Sequence, residues 1–196
     1  MCLRNRYYCF VAIFTLLFSL YNVNGKCFAN NTNLPWHIQE KAVGQMRVSW
    51  AFKIAYSPDD KYVAVGTKVG TIIIDAETHD SISFLFGHKE AVQSVAFGPD
   101  SKLLASGSLD GTVRIWEIPS GKELQTLFTN SQAVVSVAFS PDFKMLASAG
   151  TYDNNITLWD VNTWKETKSL IGHSKNVNSV AFSPDGKLLA SGSTDN

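Results

Sequence analysis

Histidine, serine and aspartate, the residue types of a nucleophilic triad, recur in this sequence at fixed spacings. His88, Ser106 and Asp110 would supply the imidazole, hydroxyl and carboxylate of a hydrolase triad, in which the imidazole takes the hydroxyl proton and the carboxylate orients the ring. The same types return with the same spacings, 18 residues from His to Ser and 4 from Ser to Asp. The second set is His173, Ser191 and Asp195. An enzyme needs one such site, whereas a repeated scaffold needs one contact in every unit. We therefore interpret both sets as structural and predict no catalytic residue.

A Pro-Asp pair sets the period of the repeat. Its prolines are Pro58, Pro99, Pro141 and Pro184, separated by 41, 42 and 43 residues. Propeller blades repeat every 40 to 45 residues or so, whereas common helical repeats have periods near 33 or 34. The period therefore predicts blades of a β-propeller rather than a helical solenoid.

Within one unit, four β-rich runs are separated by turn signals. In the second unit they are 91–97, 102–108, 112–118 and 122–128. Asp110-Gly111 supplies the positive φ values of a tight hairpin. The other predicted strands are 51–56, 62–67, 71–76 and 81–86 in the first unit, 133–139, 144–149, 155–161 and 165–171 in the third, and 177–183 and 187–193 in the fourth.

Several motifs in register resemble the WD-repeat family. Gly-His precedes the first strand of two units, Trp116-Glu117 and Trp159-Asp160 close third strands, and Ser-Val-Ala-Phe occurs at 94–97, 136–139 and 179–182. The resemblance covers about residues 45–196. It implies an all-β propeller of four-stranded antiparallel blades, with about three and a half blades present. The expected units are a degenerate blade 45–88, blades 89–130 and 131–173, and a partial blade 174–196, so we expect the sequence to be incomplete.

In this family a His, a Ser or Thr, an Asp and a Trp of each blade form a hydrogen-bonded network. By position, its members here are His88, Ser106, Asp110 and Trp116 in the second blade, Ser148, Asp153 and Trp159 in the third, and His173, Ser191 and Asp195 in the fourth. Asn130 replaces the third histidine, and the first blade has Arg47, Val65 and Val69 at these positions. We expect the first blade to be the most weakly tied.

The loops entering the first strand and joining the second to the third lie on one face in this family, and we predict the partner-binding residues there. Candidates are Trp50, Phe52, Lys68, Gln93, Leu109, Val135, Tyr152, Asn176, Asn178 and Thr194, with Ala91 and Ala133 at equivalent positions. Candidates that are two residues apart in a strand are expected to lie on the same side of it. The alternative is that several only line the central channel.

The first 25 residues are typical of a secretory signal. Arg4 and Arg6 precede a run of twelve mostly apolar residues, 9–20, and Val23-Asn24-Gly25 then supplies small residues for cleavage. A membrane-spanning helix needs about 20 apolar residues, so an uncleaved anchor is the weaker interpretation. We predict a signal peptide 1–25 and an N-terminal segment 26–44 in which residues near 37–44 could supply a propeller-closing strand. The expected location is periplasmic or extracellular, in a bacterial-type exported protein, with no stable membrane insertion after signal removal.

Charge and motifs narrow the function to binding. Seventeen basic residues balance seventeen acidic ones, so no net field attracts a phosphate backbone, and we expect no nucleic-acid partner. The sequence contains no phosphate-binding glycine loop and no metal-like ligand spacing, so we expect no cofactor and no metal. The expected function is a non-catalytic scaffold for a protein or peptide. The alternative is an accessory module of a longer enzyme or receptor.

Overall fold

Residues 50–195 are described by a computed structural model, and every helix or strand in that range is a β-strand. The strands are β1 Ala51–Tyr56, β2 Tyr62–Thr67, β3 Gly70–Asp75, β4 Ser81–Leu85, β5 Val92–Phe97, β6 Leu103–Ser108, β7 Thr112–Glu117, β8 Glu123–Phe128, β9 Ala133–Phe139, β10 Met145–Thr151, β11 Ile156–Asp160, β12 Glu166–Leu170, β13 Val177–Phe182 and β14 Leu189–Ser193. The predicted fold class is confirmed. The predicted signal segment 1–25 and the segment 26–44 lie outside the described residues.

Two predicted strand limits differ from the structure by two residues: β10 ends at Thr151 rather than at residue 149, and β14 begins at Leu189 rather than at residue 187. The turn before β14 is closed by two hydrogen bonds, in which Leu188 N–H donates to Ser183 Oγ and Ser183 N–H donates to the Leu188 carbonyl. Asp185 Oδ1 also accepts from the Ser183 hydroxyl and from Lys187 N–H. The turn therefore ends at residue 188.

Each blade is an antiparallel meander. The sheets have the strand orders β1-β2-β3-β4, β5-β6-β7-β8 and β9-β10-β11-β12, followed by the pair β13-β14. Ala51 pairs with Thr67, and Thr71 pairs with Leu85, so the start of the first strand, the second-to-third turn and the end of the fourth strand share one end of the blade. We call this the upper end and the opposite one the lower end.

Apolar clusters fill the spaces between successive blades. The first strands β1, β5, β9 and β13 pack against one another in turn, and Leu104, Leu146 and Val180 lie in the three successive clusters. Gly107 permits one close approach, since a β-carbon there would lie 2.7 Å from Val134 Cγ1. The blades therefore meet face to face through their inner strands.

The serine of the Ser-Val-Ala-Phe motif joins one blade to the next. Ser94 Oγ accepts a 3.1 Å hydrogen bond from Val137 N–H, and Ser136 Oγ accepts one of the same length from Val180 N–H. Lys53 stands at the corresponding position of the first blade, which lacks the hydroxyl. That blade is joined to the second at the lower end instead, where Asp59 N–H donates to Ser101 Oγ.

Candidate functional site

The second blade contains a continuous hydrogen-bonded chain. Trp116 Nε1 donates to Ser106 Oγ at 2.8 Å, and Ser106 Oγ lies 2.8 Å from His88 Nε2. His88 Nδ1 lies 3.0 Å from an Asp110 carboxylate oxygen. Because a carboxylate only accepts, the ring nitrogen facing Asp110 carries the hydrogen and Nε2 accepts from the Ser106 hydroxyl.

The charges of this chain are fixed by burial and hydrogen bonding. Burial lowers the pKa of His88 and outweighs the attraction of Asp110, so the ring is neutral near pH 7. Burial alone would raise the pKa of Asp110, but the Thr112 hydroxyl, Lys89 N–H and His88 hold it at about 2. The pair is therefore a neutral imidazole bonded to a carboxylate.

This arrangement does not suit catalysis. Ser106 is fully buried, and its oxygen already accepts the Trp116 indole hydrogen while its own hydrogen is donated to His88. A nucleophile needs an accessible oxygen facing the substrate. The chain instead ties the loop before β5 to the β6–β7 hairpin at the upper end of the blade.

The partial fourth blade repeats the same tie. His173 Nε2 lies 2.8 Å from Ser191 Oγ, and His173 Nδ1 lies 2.9 Å from Asp195 Oδ2. Ser174 N–H donates to the same carboxylate at 2.8 Å, as Lys89 N–H does to Asp110.

The third blade departs from this pattern. The expected place of Asp153 in its hydrogen-bonded network is corrected by the structure. Trp159 Nε1 donates to Ser148 Oγ at 2.9 Å, but Asn130 is exposed and joins no network. Asp153 Oδ1 is buried without a hydrogen-bond partner among residues 50–195. The hairpin is one residue longer here, since Ser and Trp are 11 positions apart instead of 10.

Thr129 fixes the position of the loop that enters the third blade. Its hydroxyl donates to the Gly111 carbonyl of the second blade at 2.7 Å, and Ser131 N–H donates to Thr129 Oγ1. The loop is thus held by the hairpin of the preceding blade rather than by that of its own.

Among the residues that the structure describes, the first blade has no polar tie at these positions. Val65 is buried and Val69 is exposed, while Arg47 lies outside the described residues. Its β2–β3 turn is closed locally, because the Thr67 hydroxyl donates to the Gly70 carbonyl.

Most predicted partner-binding residues are accessible at the upper end. The exposed ones are Trp50, Phe52, Lys68, Leu109, Tyr152, Asn178 and Thr194, and the half-buried ones are Gln93, Val135 and Asn176. Ala91 and Ala133, at the equivalent positions, are buried, so their side chains are not accessible to a partner.

A β-bulge lies near the start of each inner strand. The pairing register shifts between Ala51 and Lys53 and between Val92 and Ser94, and likewise opposite Val135 and between Val177 and Ser179. The residues skipped are Phe52, Gln93, Val135 and Asn178. Bulges redirect side chains and often lie beside binding sites. The alternation rule used to pair candidates two residues apart therefore does not apply at these positions.

Sequence reasoning missed three apolar residues that follow the outer strands. Phe86, Phe128 and Ile171 are 68%, 78% and 82% exposed and lie at equivalent upper-end positions. The available signal was an apolar residue at this position in three blades, immediately before Gly-His in two of them. With Trp50, Phe52, Val69, Leu109 and Tyr152, they make eight of the eleven exposed large apolar residues described.

The exposed charged residues of the upper end are mostly basic. Those within 50–195 are Lys68, Lys89, Lys175 and one acid, Glu90.

Within residues 50–195, His, Cys, Asp and Glu form no group of three that could hold a metal ion, and no helix is long and apolar enough to span a bilayer.

These features define a repeat propeller, and the chain belongs to the WD40 family. Residues 79–117, 121–160 and 164–196 match the family described as WD domain, G-beta repeat. The crystal structure of the RRP9 WD40 repeats is similar with a TM-score of 0.63 and 26% identity, over 66% of this chain and 41% of that one.

Two curated relatives share shorter stretches. WD repeat-containing protein SL1-17 of Schistosoma mansoni is 36% identical over 43% of this chain and 28% of that protein. The non-catalytic subunit WDR4 of mouse tRNA (guanine-N(7)-)-methyltransferase is 38% identical over 40% of this chain and 20% of that protein. The chain therefore covers less than a third of the full length of each of these relatives.

The relatives overturn the predicted exported location. They are eukaryotic proteins, and they include mouse pre-mRNA-processing factor 19 and yeast U3 small nucleolar RNA-associated protein 21. These names refer to RNA processing rather than to an exported protein, so the expected periplasmic or extracellular location is wrong. The bacterial-type assignment and the exclusion of nucleic acid are likewise unsupported.

Proposed function

We propose that this chain is a non-catalytic WD40 scaffold whose upper face binds a protein partner. The observation that carries the proposal is the concentration of eight exposed large apolar residues at one end of the blades. Soluble proteins rarely expose contiguous apolar area without a binding role, and aromatic side chains are enriched among residues that dominate interface energies.

The hydrogen bonds below the upper face hold its loops in place. Buried ties hold the entry loop of the second blade to its hairpin, and serine hydroxyls join successive blades. A rigid platform loses little conformational entropy on binding. The same hydrogen bonds occupy the Ser, His and Asp side chains, which favours binding over catalysis.

The relatives suggest the kind of assembly. WDR4 is named a non-catalytic subunit of a tRNA methyltransferase, and by analogy this chain would serve as a protein-binding subunit of an RNA-processing complex.

A site-specific crosslinking experiment tests the proposal. A photoreactive residue at Tyr152, which is 72% exposed at the upper end, is compared with one at Leu124, which is 38% exposed on an outer strand. We expect a discrete protein adduct from position 152 only, and alanine at Trp50 should reduce it. Equal adducts from both positions would refute an upper-face interface.

A further inference from the structure

Side-chain hydrogen bonds fasten the β6–β7 hairpin of the second blade to the loop that enters that blade. The Ser108 hydroxyl donates to the Glu90 carbonyl at 3.0 Å, and Asp110 accepts from Lys89 N–H at 2.8 Å and from the His88 ring at 3.0 Å. The fourth blade repeats these contacts between its entry loop and the segment that follows β14, through Ser193, Asp195 and His173.

The third blade forms none of these side-chain contacts among the residues that the structure describes. Gly150 stands where the second blade has Ser108, and a β-carbon there would lie 1.8 Å from the Ala133 carbonyl oxygen, so a serine does not fit. Asn130 stands at the histidine position and is exposed. The entry loop of this blade is bonded to the second blade instead, through the Thr129 hydroxyl.

The third hairpin is attached to the opposite neighbour. It contains one more residue than the second, since Ser148 and Trp159 are 11 positions apart instead of 10. Tyr152 N–H donates to Asn176 Oδ1, in the entry loop of the fourth blade, at 3.2 Å, and this bond is exposed. The hairpin and the entry loop of the third blade are therefore held by different blades.

The side chain of Asn176 makes a contact that is specific to the fourth blade. Ala91 and Ala133 stand at the equivalent positions, and a methyl group accepts no hydrogen bond. The main chain of Asn176 keeps the usual contact within its blade, because its carbonyl accepts from Thr194 N–H at 3.2 Å as the Ala91 carbonyl accepts from Leu109 N–H at 3.0 Å. Only the bond to the third hairpin depends on the asparagine side chain.

The backbone of the third hairpin is strained. Tyr152 and Asn154 have φ of 80° and 55°, and tyrosine seldom adopts the left-handed region. Segments with few buried contacts and exposed hydrogen bonds are the ones that open without global unfolding.

We propose that residues 151–155, which we call the flap, are a movable part of the upper face, and that the bond from Tyr152 N–H to Asn176 is the latch that holds them. The flap carries the exposed ring of Tyr152, so its position determines where that ring lies. The use of this movement in binding rests on the proposed function, whereas the flap and the latch do not.

Amide hydrogen exchange of the full chain, followed residue by residue by NMR, tests the flap. Thr151 and Ile156, at its two ends, are compared with Leu109 and Val113, at the corresponding places in the second blade. We expect protection factors at least tenfold lower at Thr151 and Ile156. Several side-chain bonds, each worth roughly a factor of 2–10 in the opening equilibrium, are missing there. Equal protection in the two blades would overturn the flap.

Variants at Asn176 test the latch. Asn176→Ala removes the acceptor and leaves the residue type that the second and third blades have at this position. We expect exchange at both Thr151 and Ile156 to become roughly 3–10-fold faster, with no change in the second blade. Asn176→Asp keeps an oxygen acceptor and should exchange like the unaltered chain, and Lys175→Ala, at the exposed neighbour, is the matched control. Faster exchange at Tyr152 N–H alone, or the same acceleration in Lys175→Ala, would overturn the latch.

These measurements need no partner, so they separate the flap from the proposed function. A mobile flap combined with no crosslinked adduct at position 152 would refute the proposed function alone. An adduct at position 152 combined with a flap as protected as the β6–β7 hairpin would refute the flap alone.

Discussion

The indole nitrogen of Trp116 donates a 2.8 Å hydrogen bond to the buried hydroxyl oxygen of Ser106. This contact starts the tie of the second blade, and burial keeps the Ser106 hydroxyl away from solvent. The same residue types that would make a nucleophile are thereby used to hold a hairpin to a loop.

Trp116→Phe should destabilise the chain by about 1–3 kcal/mol, because the donor is lost and Ser106 keeps a buried acceptor without its partner. Chemical denaturation of the full chain measures the free energy of unfolding. Trp164→Phe, at a half-buried residue for which no such bond is seen, controls for the change in ring size. A loss no larger than that of the control would show that the bond contributes nothing.

Ser94→Ala should destabilise the junction of the second and third blades by about 1–2 kcal/mol, because the buried N–H of Val137 loses its acceptor. Ser179→Ala is the matched control, since Ser179 occupies the same motif position and is exposed. The two variants are compared by urea denaturation. Equal destabilisation would contradict a role of this hydroxyl between blades.

The sequence predicted the repeat architecture well because period and turn chemistry are local. The Pro-Asp spacing and the Asp110-Gly111 turn identify the blades, and the constant spacing of His88, Ser106 and Asp110 points to one shared contact. Contacts without a local signature were not predictable. The Thr129 bond to Gly111 joins two blades, and the bulge at Gln93 depends on the register of both strands.

The error in location has a different origin. A short apolar run after two arginines is a compositional pattern, and it constrains no contact that the rest of the chain must satisfy. The upper-end residues were only partly predictable for a related reason. The exposure of Phe128 depends on how the chain folds after it, and no local sequence motif specifies that.

The stability of the chain should fall as pH is lowered through about 6.5 because of His88. Its pKa is lowered in the folded chain, mainly by burial, so the unfolded state takes up a proton in this range while the folded state does not. Stability is therefore present above the unfolded pKa and is lost below it. Asp110, whose pKa is held at about 2, stays charged throughout this range.

Tm measured at pH values between 8 and 5.5 tests this pH dependence. His88→Asn, which reproduces the residue of the third blade, should have a lower Tm at pH 8 and a shallower decline on acidification. His79→Asn, at the lower end, controls for the loss of an imidazole. An unchanged slope in His88→Asn would assign the pH dependence to other groups.

Tyr152→Gly should separate stability from binding. Tyr152 has a φ of 80°, a left-handed conformation that costs a non-glycine residue about 1–2 kcal/mol and glycine almost nothing. The larger chain entropy of glycine in the unfolded state offsets about 0.5–1 kcal/mol of this gain. The free energy of unfolding should therefore stay the same or rise slightly, although an exposed aromatic ring has been removed.

Binding should respond in the opposite direction. If Tyr152 is an interface anchor, its loss should weaken the affinity for the crosslinked partner at least tenfold, because anchors commonly contribute about 2 kcal/mol or more. Tyr152→Ala keeps the strained backbone and should weaken binding as much, without the gain in stability that glycine brings. Asn154→Gly, in the same hairpin at a φ of 55° that asparagine and glycine both adopt, keeps the aromatic ring of Tyr152 and should leave binding intact. Weakened binding in Asn154→Gly but not in Tyr152→Gly would mean that the shape of the hairpin, and not the tyrosine ring, is what the partner recognises.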